Sequence, residues 1–115
     1  MLFDVEHEGR TVKAVGEASK TGWFYVHDRV TGELLYKSDH YVPHCNLFRP
    51  PTPRGVTIAP GAAGGTSWSP VSYDASSGLV YVMGIHMPTT YSLRERPSPE
   101  GTGLYGPGHR GTFSL

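Results

Sequence analysis

This chain of 115 residues has one cysteine, Cys45, so it cannot close a disulfide on itself. An inert, partly buried thiol is the expected state of such a residue. Charge is also scarce. Ten Lys and Arg balance ten Asp and Glu, the net charge is zero with the histidines neutral, and only 17% of residues are charged. No basic stripe exists to neutralise phosphates, which argues against nucleic acid as a partner. The longest apolar run, Leu79 to Met83, falls far short of the ~20 residues that span a bilayer. The start, Met1-Leu2-Phe3-Asp4-Val5-Glu6, is acidic and lacks the basic and long apolar regions of a signal peptide, so no export signal is expected in this chain. No segment holds the helical period for several turns, and no helix is expected.

Glycine and proline are abundant instead, at 15 and 10 residues. Such a composition favours many short elements joined by tight turns. The hydrophobic fraction of 37% is lean for a self-contained core. Phe3-Asp4-Val5-Glu6 alternates apolar and polar, and Val12-Lys13-Ala14-Val15 resumes the pattern after Glu8-Gly9-Arg10, which predicts a hairpin. Trp23-Phe24-Tyr25-Val26-His27 suits a strand in a sheet covered on both faces, with Trp23, Tyr25 and His27 on one side and Phe24 and Val26 on the other. Leu34-Leu35-Tyr36 continues an antiparallel meander. From Ser38 to Gly65 the prolines at 43, 50, 51, 53 and 60 predict no regular ladder. Val71-Ser72-Tyr73 and Leu79 to Met83 predict a second hairpin. From Pro88 onward the chain reads as a Gly- and Pro-rich tail, with Thr112-Phe113-Ser114-Leu115 as the beginning of a strand.

The two hairpins echo each other. Asp28-Arg29-Val30-Thr31-Gly32 and Asp74-Ala75-Ser76-Ser77-Gly78 are acidic, hydroxyl- and Gly-bearing turns, and 46 positions separate both the aspartates and the glycines. Self-similarity at ~40–50 residues with several short strands per unit marks a β-propeller blade. A blade needs neighbours to cover it, so unpaired strand edges and self-association are expected.

Several residues carry chemistry on more than one reading. Lys20, at the tip of a strand beside Thr21-Gly22, is either a solvated turn lysine or a cation aimed at a ligand oxygen. Gly64-Gly65-Thr66-Ser67-Trp68-Ser69-Pro70 offers free backbone N–H groups, hydroxyls and a flat indole. It is either a ligand-binding segment or a turn leading into a strand, with Trp68 packing between blades. It lacks the order of a phosphate loop. His40, His44 and Cys45 lie close enough to suggest a metal but lack a fourth ligand at regular spacing. Glu6 and Glu8 flank His7 on an exposed face, and no Ser/His/Asp set can be nominated from order alone.

The stretch Glu17-Ala18-Ser19-Lys20-Thr21-Gly22-Trp23-Phe24-Tyr25-Val26-His27-Asp28-Arg29-Val30-Thr31-Gly32 resembles the K-N-G-F-F-Y-V-L-D-R-x-T-G block of the pyrroloquinoline quinone (PQQ) dependent alcohol and glucose dehydrogenases. Ala59 to Tyr73 resembles their P-G-x-x-G-G-x-N-W-x-P-x-S-Y block, and Ser77 to Val82 the T-G-L-x-Y-V strand that follows. The resemblance implies an all-β fold, one to two antiparallel blades of an eight-bladed propeller with long Pro/Gly-rich loops. Residues 1–90 would be the propeller segment and 91–115 a tail that is the truncated start of another blade. Lys20 matches the basic residue that hydrogen-bonds the quinone oxygens of PQQ. Ser67 stands where the family usually has a cofactor-contacting Asn, and a hydroxyl reaches less far and donates less than an amide. Trp68 matches the adjacent Trp.

The family's catalytic Asp and calcium ligands lie upstream of the Lys20 block, and the Trp that floors the cofactor pocket is likewise outside this chain. The resemblance therefore implies a fragment of a periplasmic PQQ-dependent dehydrogenase that oxidises an alcohol or sugar, inactive alone. A non-catalytic propeller module for binding or assembly is the alternative, and a small metal protein using His40, His44 and Cys45 a third reading.

Overall fold

The computed structural model describes residues 1–93. Its largest unit is a four-stranded antiparallel sheet in chain order: β1 (Leu2–His7), β2 (Arg10–Ala18), β3 (Phe24–Asp28) and β4 (Leu34–Lys37). The β1–β2 connection is a two-residue turn, Glu8-Gly9, with φ of 50° and 76°. Both central residues at positive φ give the turn whose twist matches that of the flanking strands. Alternation along β2 places Val12, Ala14 and Gly16 on the buried face, with Thr11 and Lys13 exposed. Across the ladder Phe3 opposes Ala14, Val5 opposes Val12, and Ala18 opposes Phe24, so one face collects the apolar residues of three strands. Between Val26 and His27 the β3–β4 register slips, leaving Leu35 as the extra residue of a bulge, where it packs against the core.

A second layer covers this face. The strands β6 (Ser72–Asp74) and β7 (Leu79–Tyr81) form a hairpin. Val80 and Val82 pack on the buried cluster of Ala14, Phe24 and Val26, and the Tyr73 ring lies 5.1 Å from that of Phe3. The opposite face of the sheet has no such layer among the described residues. Phe24 and Val26 are accordingly buried while Trp23, Tyr25 and His27 are only half-buried. The expectation of a strand covered on both faces is therefore met on one.

The repeated motif is a repeated structure. In the first copy the Asp28 carboxylate accepts from the backbone N–H groups of Val30 (2.7 Å) and Thr31 (3.1 Å), and the Asp28 carbonyl accepts from Gly32 N–H (2.8 Å). In the second, Asp74 Oδ1 accepts from Ser76 N–H (2.9 Å) and Ser76 Oγ (2.7 Å), Oδ2 accepts from Ser77 Oγ (2.7 Å), and the carbonyl accepts from Gly78 N–H (2.9 Å). Gly32 and Gly78 close the two turns at φ of 78° and 70°, in the left-handed region that glycine enters at no steric cost. The β3–β4 and β6–β7 hairpins thus close on the same kind of turn.

Two strands depart from the sequence reading. β5 (Val56–Ile58) lies inside the proline-rich stretch where no ladder was expected, and it pairs antiparallel with β8 (Thr89–Tyr91), inside what was read as a tail. Isolated bridges Cys45–Ala59 and Thr52–Ser92 extend the contact. The prolines flank β5 and do not interrupt its three residues, so the ladder survives. β8 spans residues 89–91, so the division expected at residue 90 falls within it. The strand expected at Thr112 to Leu115 lies outside the described residues. No helix occurs among the described residues, and none is long and apolar enough to cross a membrane.

Candidate functional site

Lys20 sits in the turn Ser19-Lys20-Thr21-Gly22 that joins β2 to β3. Gly22 N–H donates to the Ser19 carbonyl (2.9 Å) at a φ of 88°. Inside the turn Thr21 N–H donates to Ser19 Oγ (3.2 Å), and the Ser19 and Thr21 hydroxyls lie 2.8 Å apart. Tyr41 holds the turn from one side: its hydroxyl donates to the Ser19 carbonyl (2.5 Å) and its N–H to the Gly22 carbonyl (2.9 Å). Burial, then Glu17 and Tyr25, raise the Tyr41 pKa, which keeps that hydroxyl a donor.

The glycine-rich segment holds the turn from the other side. Gly65 N–H donates to the Lys20 carbonyl (2.7 Å), while the Gly65 carbonyl accepts from Ile85 N–H (2.7 Å). A side chain on Gly65 would start 2.7 Å from Gly22 Cα, and one on Gly64 would start 2.7 Å from Lys20 Cβ and Cγ. The two motif blocks, more than forty residues apart in sequence, are therefore in backbone contact because both contributors lack side chains there.

Beyond this contact the segment turns outward. Thr66 is 3% exposed and its hydroxyl has no hydrogen-bond partner. Ser67 is half-buried, and Trp68 is 96% exposed. Packing of Trp68 between blades, one of its two readings, is thus not made by the described residues. Lys20 is exposed, and its ammonium has no hydrogen bond or ion pair among them. The structure brings Lys20 to the segment that leads into Ser67 and Trp68. An unpaired ammonium, a hydroxyl and an open indole plane are the groups a flat, oxygen-bearing ligand needs: donors for its oxygens and an apolar surface for its ring.

An aromatic cluster lies behind the turn. The Trp23 ring meets His44 edge-on at 4.5 Å and stacks at 6.4 Å on Phe48, and Lys37 Nζ lies 4.6 Å from the Trp23 centroid. His40 and His44 stack at 4.6 Å. Burial and then His40 push the His44 pKa down, against a smaller opposing pull from the Thr21 backbone. His44 Nε2 has no partner in hydrogen-bonding geometry. The metal reading of His40, His44 and Cys45 finds no support: among the described residues no three His, Cys, Asp or Glu side chains converge to hold an ion. Cys45 is exposed, where a partly buried thiol was expected.

A cleft of about 830 Å³ opens elsewhere, between the β1–β4 sheet and the β6–β7 hairpin, lined by Phe3, Val5, Phe24, Val26, Tyr73 and Val80 among others. Neither Lys20, Ser67 nor Trp68 lines it. It lies between the two layers of strands and reaches Tyr41 at the Lys20 turn.

Sequence reasoning nominated Lys20, Ser67 and Trp68 by motif. It missed Tyr41, an isolated aromatic in a proline-rich loop with no periodic signal, and it did not foresee that the Gly-Gly pair lies directly on the Lys20 turn.

One meander sheet, faced by a hairpin that repeats its last two strands, is a section of a β-propeller. The "Glucose/ethanol/alcohol dehydrogenase, beta-propeller domain" family matches residues 37–107, and the chain belongs to this PQQ dehydrogenase propeller family. The quinoprotein ethanol dehydrogenase of Pseudomonas aeruginosa is 30% identical across 96% of this chain and 21% of its own length. Among solved structures, the quinohemoprotein alcohol dehydrogenase ADHIIG of Pseudomonas putida superposes with a TM-score of 0.72 at 27% identity, over 85% of this chain and 17% of that one. A europium-containing methanol dehydrogenase gives a TM-score of 0.67 at 25% identity, over 79% and 18%. The chain thus spans about a fifth of the length of the relatives it matches.

Proposed function

We propose that this chain supplies one wall of a PQQ site in a quinoprotein dehydrogenase that oxidises an alcohol or sugar, with Lys20 as the cation at the quinone oxygens. The observation that carries the reading is the backbone contact between Lys20 and Gly65, which sets an exposed ammonium, without a partner among the described residues, beside the segment bearing Ser67 and Trp68. PQQ, when bound, supplies the hydride acceptor. Lys20 would donate to its oxygens and offset negative charge there, which a fixed donor does without reorganising. Ser67 offers a shorter-reaching hydroxyl, and Trp68 an apolar rim. On the same family reading, the acid–base group and the calcium ligands belong to other parts of such a propeller. A periplasmic setting follows from the same family reading.

The test is titration of the chain with PQQ in the presence of calcium, beside the Lys20→Ala variant. Loss of one charged hydrogen-bond donor is expected to weaken binding by about 10–100-fold. Equal affinity in both proteins would remove Lys20 from the site. Absence of any PQQ binding by the unaltered chain would favour the non-catalytic assembly module.

A further inference from the structure

We propose that Gly64 is a positioning residue that fixes the direction of the Lys20 side chain. This inference rests on the reading of Lys20 as the quinone-facing cation and adds what aims it. Lysine loses much rotamer freedom when ordered, so a free surface amine is a poor fixed donor. Ordering it by an ion pair would neutralise the charge it must present. The structure shows another arrangement. Gly64 stands at a φ of 80°, held by its N–H bond to the Gly61 carbonyl (2.9 Å). Its α-carbon faces the root of the Lys20 side chain: an added Cβ would lie 2.7 Å from Lys20 Cβ, 2.7 Å from Cγ and 3.0 Å from Cα.

These atoms are the base of the side chain, which cannot swing away as an ammonium tip can. The Lys20 carbonyl is tied at the same time to Gly65, and the flanking residues of the turn are tied to Tyr41. Backbone and first methylenes are thus gripped by contacts that carry no charge, and Nζ has no partner among the described residues. Gly9 provides the contrast. It has a nearly identical φ of 76° with nothing within 4 Å of an added Cβ.

The test compares PQQ affinity, at fixed calcium, of the unaltered chain, Gly64→Ala, Lys20→Met and the double variant. Gly64→Ala is expected to weaken binding by about tenfold in the Lys20 background, and by less than about twofold in the Lys20→Met background, because interacting residues are non-additive. Gly9→Ala measures the conformational cost alone and is expected to leave affinity unchanged. The same loss with and without Lys20, or no loss at all, overturns the proposal. Carbon relaxation of the Lys20 Cβ and Cγ methylenes in the ligand-free chain gives a second reading that needs no variant. Those positions are expected to be more ordered than the same carbons of Lys13 on β2; equal mobility overturns the proposal. If Lys20→Met leaves PQQ affinity intact while Lys20 is ordered as expected, the functional reading fails and the grip stands.

Discussion

At the scale of single residues, the twin aspartates show how a short polar side chain specifies backbone. Asp74 accepts three hydrogen bonds from Ser76 and Ser77, and these, led by the Ser76 hydroxyl, hold its carboxyl at a pKa of about 2, against an ordinary 3.8. Asp28 is lowered as well, chiefly by the Val30 and Thr31 backbone. A carboxyl with a depressed folded pKa binds fewer protons in the native than in the unfolded state, so stability falls as pH falls. The contribution of Asp74 is fully present above the unfolded carboxylate range and is lost as pH drops through about 2. The melting temperature is expected to decline between about pH 4 and pH 2, and to decline less in Asp74→Asn, whose side chain does not titrate in that window. Parallel pH profiles for the two proteins would show that the carboxylate does not matter to the turn.

At the scale of elements, the core is thin and depends on close approach. Among the described residues its buried cluster is Ala14, Phe24 and Val26. Gly16 lies beneath the ring of Phe24, where an added Cβ would sit 2.5 Å from Cζ and 2.8 Å from Phe3 Cε1. Gly16→Ala is therefore expected to destabilise the chain by about 1–3 kcal/mol through overpacking, measured as a fall in the denaturant midpoint. An unchanged midpoint would mean that both rings have room to shift. Elements of this kind were legible in sequence where local rules decide. Alternation in β1 and β2 and the Asp-to-Gly spacing of the twin turns each name a structure without reference to the rest of the chain. The β5–β8 ladder was not legible. Val56-Thr57-Ile58 and Thr89-Thr90-Tyr91 are each too short to show a period, and they meet across 33 residues, as the Thr57–Thr90 hydroxyl contact records. The candidate site divides likewise. Lys20, Ser67 and Trp68 could be read one by one, and the glycine run from Gly61 to Gly65 signals a close backbone approach, but that its partner is the Lys20 turn is a tertiary contact which no residue pattern encodes.

At the scale of the whole molecule, the described residues leave strand edges open. β1 and β4 are each paired along one edge only, and Leu34 and Tyr36 on β4 are more than half exposed. Open edges bearing apolar side chains recruit other strands. Sedimentation is expected to show association that grows with concentration, and Tyr36→Lys is expected to reduce it. A monomer throughout the range would mean that the edges are protected. Trp68, 96% exposed, is a further open apolar surface among the described residues.

The β5–β8 ladder also makes the segment from Ala59 to Pro88 a closed excursion, pinned where it leaves and where it returns. Gly65, close to its start, is stitched to both Lys20 and Ile85. Hydrolysis after the bare indole of Trp68 by a chymotrypsin-like protease should therefore produce two polypeptides that stay clasped, migrating as one band on a native gel and as two once denatured. Pieces that drift apart after the nick would show that the clasp is weaker than its hydrogen bonds suggest.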